Sequence, residues 1–563
     1  MNKKWEYYNS DKLKIKQISQ KFNLPEFIAK ILVSRNITED EQIKVFLNPT
    51  RNDFYNPFLL NDMDKAVSKI IEAINKKQKI IIYGDYDVDG ITSITVLKKF
   101  LEDRGIKAGY YIPDRLNEGY GLNKEAISKI SSEGYELIIT VDCGITAIED
   151  VEYANSLGMK VIVTDHHEPS DIIPNAFAVI NPKRQDSTYP FKNLAGVGVV
   201  FKLIQAISKK LELPEKEYLK YLDLVCIGTI SDIVPLIDEN RVIAKLGLKL
   251  VCVTRNIGLR ELISSIRFKK IDSSAVSFGI APRINACGRM GHADEAVKLF
   301  LTQNIVEAGN IADDLNKYNV TRQSIEKKIY EEALIKIEEN NMSKENSIIL
   351  GGENWHHGVI GIVASKITDL FNKPSILICF EGDEGKGSGR SIMGFDLHNA
   401  LCKSSEYLEK FGGHEMAVGL SLKKENFNKF KEKFQGIVEE SDIKDIVPII
   451  KIDEEIDLKN ITMDMVKEMS KLEPFGEENK IPIFLFRNLK IDSIRAISDG
   501  KHLKLSLKYS RGWIDAIGFN MGELVEQFTI EDKIDVVGFL EINSYNNIEK
   551  LQINIKDMMK SIV

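Results

Sequence analysis

Three short polar clusters each follow an apolar run. Asp165, His166 and His167 come directly after Val161-Ile162-Val163-Thr164, and Asp142 follows Leu137-Ile138-Ile139-Thr140-Val141. Asp85, Asp87 and Asp89 alternate along the turn that ends Ile80-Ile81-Ile82-Tyr83-Gly84. Carboxylate oxygens with imidazole nitrogens suit Mn2+ or Mg2+ better than a thiolate-preferring metal. Alternate acids on one turn can divide between two ions, Asp142 can bridge them, and His166 completes a two-metal centre. Such a pair activates a water and stabilises both the attacking and the leaving oxygen of an in-line phosphoryl displacement, so no covalent nucleophile is needed. Two adjacent histidines alone are commonplace on a solvated turn; three such clusters at the ends of apolar runs are not.

The runs read as buried strands, and helix-like segments lie between them near Thr92 to Arg104, Lys124 to Ser132 and Ala147 to Leu157. This alternation predicts a parallel sheet. Ligands of open parallel sheets bind outside the carboxyl ends of the strands, where all three clusters fall. From Ile305 to Glu339 the residues Ile311, Leu315, Tyr318, Ile325, Ile329 and Ile337 recur at helical spacing, which predicts a long amphipathic connector. A second mixed region opens at Ser347. It holds Trp355-His356-His357-Gly358, Gly387-Ser388-Gly389-Arg390 and Gly412-Gly413-His414. Glycines beside Arg, Ser and His let backbone approach a phosphate closely. Past Lys451 short alternating strands, such as His502 to Lys508, predict a small β-barrel of the OB type. Lys501, His502, Lys504, Lys508, Tyr509, Arg511, Trp513 and Tyr545 offer that barrel a basic, aromatic surface for single-stranded nucleic acid.

The chain of 563 residues is long enough for several domains. Its net charge of -7 is no global signature of nucleic-acid binding, but acids gathered at a metal site mask local basic patches. The six cysteines form no Cys-x-x-Cys pair, which favours reduced thiols over a zinc site or a disulfide framework. Met1 to Glu6 is followed by polar residues, and no apolar run reaches the roughly 20 residues that span a bilayer. Cytoplasmic location without membrane attachment is the expectation.

The motifs together resemble a known family. Asp85-Tyr86-Asp87-Val88-Asp89-Gly90, Pro113-Asp114-Arg115 with Glu118-Gly119-Tyr120-Gly121, Val141-Asp142-Cys143-Gly144 and Asp165-His166-His167 resemble the DHH phosphoesterases. Leu194-Ala195-Gly196-Val197-Gly198, Ile230-Ser231-Asp232-Ile233-Val234-Pro235 and the segment Pro282 to Met290 extend the likeness to their RecJ branch. Trp355 to Gly361, Gly387 to Arg390, Gly412 to His414 and Leu472 to Gly476 carry it onward. Ala281 and Cys287 stand where that family often has Gly and Ala, Val418 replaces a usual Ala, and Lys366 a usual Arg.

The resemblance implies an α/β protein in which a parallel-sheet DHH domain is joined by a long helix to a smaller α/β DHHA1 domain, followed by a C-terminal OB-fold barrel. The implied parts are an N-terminal extension (1–55), the DHH domain (56–265), a connecting helical region (266–345), the DHHA1 domain (346–445) and the barrel (446–563). It implies a single-strand-specific DNA exonuclease working from the 5′ end with two divalent ions. Asp85, Asp87, Asp89, Asp142, His166 and Asp232 would be metal ligands, with Asp165 and His167 supporting the site or the scissile phosphate. Arg115, Ser388 and Arg390 would hold the 5′-terminal phosphate, while Arg283, Arg289, His357 and His414 would line the strand's path. The implied partners are single-stranded DNA, a single-strand-binding protein and a RecQ-type helicase, and the implied state is a monomer. Three rivals remain at this stage. Asp87-Val88-Asp89-Gly90-Ile91-Thr92 also fits a haloacid-dehalogenase-like phosphatase, which leaves Asp142 and the histidines unexplained. Another DHH phosphodiesterase, acting on nanoRNA, cyclic dinucleotides or pyrophosphate, would share the metal site. A non-catalytic DNA-binding scaffold would have no need of intact acids.

Overall fold

The computed structural model describes residues 3–115, 118–119, 121–441, 447–510, 512–545 and 548–561. Leu116, Asn117, Tyr120 and Arg511 therefore lie outside the described residues, as does the side chain of Tyr545. Two compact units form: Tyr55–Val234 with Gly247–Ile446, and Met1–Phe54 with Pro235–Leu246 and Val447–Val563.

The larger unit contains a five-stranded, all-parallel sheet in the order Gly109–Tyr111, Ile80–Gly84, Leu137–Val141, Lys160–Thr164, Ala178–Ile180. Its central strands are apolar at successive positions because both faces are covered. One face packs on the helices Lys124–Ser132 and Ile148–Ser156 through Ile81, Tyr83, Ile138, Val161 and Val163. The helices Met63–Lys76, Val88–Glu102 and Gly196–Lys210 also pack on the sheet, outside that cluster. The register matters most: Gly84 pairs with Val141 and Val141 with Thr164. The next residue of each strand is Asp85, Asp142 and Asp165, so three acids leave one sheet edge side by side.

The predicted connector is a single helix, Ile305–Glu339. It leads to a second sheet in the order Lys410–His414, Ala417–Lys423, Glu384–Arg390, Ser375–Glu381, Ile348–Glu353. Only the last pair is parallel. Ala417 pairs with both Arg390 and His414, which places these two on adjoining positions across three strands. The helix His357–Phe371 packs on this sheet.

In the smaller unit, the strands Phe484–Ile497, His502–Tyr509, Gly512–Gly518, Ile548–Lys560 and Lys533–Tyr545 follow one another. Pairing of Phe484–Ile497 with Lys533–Tyr545 closes the barrel. His502–Tyr509 alternates buried and half-exposed residues, as its period predicts. The N-terminal segment shares the barrel's core: Ile28, Ile31, Leu32, Ile43 and Phe46 join Phe484, Phe486, Leu503 and Leu507 in one cluster. Helices of 11, 9 and 8 residues cannot enclose their own apolar faces, so they bury them here. Arg241, fully buried, donates to the carbonyls of Phe46 (2.5 Å), Leu472 (3.1 Å) and Glu473 (3.0 Å), and burial pushes its pKa down to about 9. No helix among the described residues is long and apolar enough to cross a membrane.

Candidate active site

The aligned strand ends bring the sequence-predicted acids together. Ligand atoms of Asp85, Asp87 and Asp142 lie within 4.8 Å of one another, as do those of Asp89, His166 and Asp232, and those of Asp142, His166 and His167. His166 Nε2 faces Asp142 Oδ1 at 3.1 Å, Asp232 Oδ2 at 3.5 Å and Asp89 Oδ2 at 3.9 Å. Asp232 arrives from the end of the helix Leu222–Ser231, and Asp142 sits at φ +60°, a conformation that Asp and Asn tolerate better than most residues. Asp142 and His166 each belong to two of the three groups. These acids converge with the histidines, which a haloacid-dehalogenase-like site does not require.

Backbone donors hold part of this cluster. Asp89 accepts from the N–H groups of Gly196 (2.6 Å) and Val197 (2.8 Å) at the start of the helix Gly196–Lys210, where helix geometry leaves such donors free. Asp165 points elsewhere. Its Oδ2 accepts from Ile145 N–H (2.9 Å), and its Oδ1 from His166 N–H (2.7 Å) and from the His167 ring at Nδ1 (2.7 Å). Asp165 thus orients His167 instead of offering a metal ligand, and Asn181 holds the His167 carbonyl at 2.9 Å.

Electrostatics separate the two roles. Burial, together with neighbouring carboxylates, pushes the Asp85, Asp142 and Asp232 carboxyls well above the usual range, and that of Asp89 up to about 7. Burial would raise Asp165 as well, but the His167 hydrogen bond and both imidazoles hold it at about 2. Burial also lowers His166 to about 3, which keeps its ring neutral. For His167 burial is the largest single influence and lowers the pKa, but the Asp165 hydrogen bond and the charges of Asp165, Asp87 and Asp89 together raise it. Asp85 Oδ1 and Asp232 Oδ2 are buried without a hydrogen-bond partner. Buried carboxylates of this kind are costly unless a cation compensates them. The oxygen-rich donor set with a neutral imidazole therefore fits Mn2+ or Mg2+.

The second cluster is cationic. The Arg115 guanidinium lies over the Tyr86 ring at 4.8 Å, against the acid loop. A side chain at Gly361 would stand 2.9 Å from Ser388 Oγ and 3.2 Å from Arg390 Nη2, so the helix His357–Phe371 runs directly over them. Arg390 donates to Ser388 Oγ at 3.1 Å. Burial, then Arg115, lowers the pKa of Arg390. Burial lowers His357 to about 4 with help from Arg115, and it lowers His414 with help from Arg390. His357 Nδ1 has no hydrogen-bond partner. Buried cations that destabilise one another make a receptor for an anion.

Two of the predicted strand-path residues are engaged by protein. Arg289 donates to the Gly358 carbonyl at 2.9 Å, and burial among Arg115, Arg390 and Arg322 pushes it down to about 9. Arg283 donates to Asn316 Oδ1 (2.5 Å) on the connector and to the Gly279 carbonyl (2.8 Å). Sequence reasoning assigned no role to the Gly196 and Val197 amides, Asn181 or Asn285. The first and last lie inside motifs that carried the family likeness, which was the available signal.

Comparison with known proteins gives consistent results. Three family models match: the DHH family N-terminal domain over residues 79–229, the DHHA1 domain over 344–440 and the RecJ OB domain over 452–557. The single-stranded-DNA-specific exonuclease RecJ of Bacillus subtilis is 39% identical over 98% of this chain and 70% of its own length. The RecJ of Dickeya dadantii is 32% identical over 95% of this chain and 96% of its own. The crystal structure of Thermus thermophilus RecJ in complex with Mn2+ matches with a TM-score of 0.87 at 28% identity, covering 100% of this chain and 80% of that one. Its Mg2+ complex matches with a TM-score of 0.81 at 26% identity, over 100% and 79%. With likeness of this degree along nearly its whole length, the chain belongs to the RecJ family.

Proposed function

We propose that this protein is a metal-dependent exonuclease that hydrolyses the phosphodiester bonds of single-stranded DNA from the 5′ end, releasing 5′-mononucleotides, in DNA repair and recombination. The observation that carries the reading is the juxtaposition of the two clusters: Arg115, part of the cationic group, stacks on Tyr86, which lies between two acids of the metal loop. A terminal phosphate held by Arg115, Ser388 and Arg390 sets the next phosphodiester toward the carboxylates. Bound Mn2+ or Mg2+ supplies water activation and neutralisation of charge on the phosphoryl oxygens. Asp85, Asp87, Asp89, Asp142, His166 and Asp232 are the residues that would hold the two ions. Asp165 accepts from His167 Nδ1 and favours the protonated ring, which can then also donate from Nε2 to a phosphoryl oxygen. His357 and His414 face the same anion, whereas Arg289 and Arg283 act mainly by tying elements together. Ser388 and Arg390 offer a hydroxyl and a planar guanidinium, which select the charge and shape of a phosphate.

The RecJ enzymes named above lend this reading their substrate, and the matched OB domain is consistent with it. A single-strand-binding protein and a RecQ-type helicase are the proposed partners, and the cytoplasm and a monomeric state the proposed setting. End-labelled oligonucleotides test the direction. Label at the 5′ end should be released first, faster from a 5′-phosphate than from a 5′-hydroxyl. First release from the 3′ end, or equal rates for both termini, would overturn the pocket and the polarity. Cyclic dinucleotides and RNA dinucleotides, offered in parallel, should be poor substrates.

A further inference from the structure

The backbone of the acid loop is gripped from outside by one helix, Ala281–Arg289. Asp87 caps the helix Val88–Glu102, its Oδ1 accepting from Gly90 N–H at 3.0 Å. Capping of that kind leaves the first helical N–H, that of Val88, without an intrahelical acceptor. Asn285 provides one: its Oδ1 accepts from Val88 N–H at 3.3 Å, across 197 residues of sequence. Three residues further along the same helix, Gly288 packs against Tyr86 of the same loop. A Cβ there would stand 2.3 Å from the Tyr86 carbonyl oxygen, a distance no side chain tolerates. The two peptides that flank Asp87 are therefore both set by this helix. Asp89 has its own anchors in Gly196 and Val197. The helix itself is immobilised at its end by Arg289, bonded to Gly358.

We propose that Asn285 is a positioning residue for the metal-binding loop, with the helix Ala281–Arg289 as a brace that fixes the backbone on either side of Asp87. The inference rests on the two-metal reading above. Outer partners that orient metal ligands typically contribute about ten- to a hundredfold in metal affinity or activity. Asn285 differs from the usual such partner in acting on the main chain between two ligands instead of on a ligand side chain.

Titration calorimetry of the full-length protein with Mn2+ alone tests it, with far-UV circular dichroism to confirm folding. Asn285→Leu, similar in size but unable to accept a hydrogen bond, should bind Mn2+ roughly tenfold or more weakly. Asn285→Asp, which keeps an acceptor, should stay close to the wild type. In single-turnover cleavage the Leu variant should lose rate at limiting Mn2+ and regain it with excess, while affinity for DNA is unmoved. Wild-type Mn2+ affinity in a folded Asn285→Leu protein would overturn the proposal. If that variant does not fold, Gly288→Ala serves, since its methyl must displace the Tyr86 carbonyl; unaltered Mn2+ affinity there overturns the brace equally. Absence of saturable Mn2+ binding by the wild type would instead overturn the metal-centre reading on which the brace depends.

Discussion

The acid edge of the parallel sheet and the arginine cluster over the second sheet are electrostatic opposites built on the same plan. In the first, burial and like charges push carboxylate pKa values up. In the second, burial and like charges push arginine and histidine values down. Neither cluster neutralises itself: Asp85 Oδ1 and Asp232 Oδ2 in the first, and His357 Nδ1 in the second, are buried without a hydrogen-bond partner. The difference lies in what completes them. On the proposed reading, divalent cations would complete the acid edge and could remain bound, whereas an anion that arrives and leaves would complete the arginine cluster. A site organised this way distinguishes chemistry from end recognition, and substitutions should separate the two.

The largest effect is predicted on the acid side. Asp142→Asn keeps a residue suited to φ +60° but removes a carboxylate shared between two groups of ligands. Hydrolysis should fall about a hundredfold or more, with DNA binding largely kept. Single-turnover rates alongside a filter-binding assay measure this, and near-normal turnover would break the assignment. Chelation should silence the wild type in the same way, with Mn2+ or Mg2+ restoring it.

On the other side, Arg390→Ala should erase the preference for a 5′-phosphate and leave cleavage of hydroxyl-ended strands nearly intact. A charged hydrogen bond is worth about 1.5–3 kcal/mol, so the ratio of the two rates should shrink by about ten- to a hundredfold. Equal slowing on both substrates would show that Arg390 serves the chemistry, and the contrast between the clusters would fail.

A pH series on metal-free protein sharpens the comparison. The folded-state pKa of Asp89 is raised to about 7, by burial first and then by Asp87. The folded state therefore binds more protons than the unfolded chain between about 4 and 7, and stability is lost as pH rises through that window. Melting temperature should fall by a few degrees over this range. Saturating Mn2+ should remove the decline, and Asp89→Asn should lessen it, since Asp85, Asp142 and Asp232 are raised as well. A melting temperature that rises across the window would contradict the buried-carboxylate account.

The smallest effect is expected away from both clusters. Trp513 is 60% exposed on the barrel, with the Lys508 ammonium 5.5 Å from its ring. Base stacking contributes roughly 1–3 kcal/mol, so Trp513→Ala should weaken binding of a long single strand by at least about fivefold and leave the 5′-phosphate preference untouched. Unchanged affinity would remove Trp513 from the DNA-binding surface. Point substitution is the appropriate probe, because deleting the barrel would strip the core from the N-terminal helices.

Much of this was legible in residue order. Apolar runs ending in Asp85, Asp142 and Asp165 placed three acids at strand ends, and the spacing of Ile311 to Ile337 marked the connector that spans Ile305–Glu339. Alternation in His502 to Lys508 foretold a barrel strand. Local periodicity carries such information because it records which face of an element is buried. Partners brought together from distant parts of the chain leave no periodic trace. The pairing of Gly84 with Val141 and Val141 with Thr164, which levels the three acids, exists only in the assembled sheet. The same holds for Asn285 reaching Val88, for the Arg289 bond to Gly358, and for the N-terminal helices entering the barrel core. The pKa shifts belong with these. Asp165 and Asp89 are the same residue type in polar clusters that follow strands of one sheet, yet one is held at about 2 and the other at about 7. Chain order determined which groups could titrate; only packing decided which would be desolvated, beside which charges, and facing which donors.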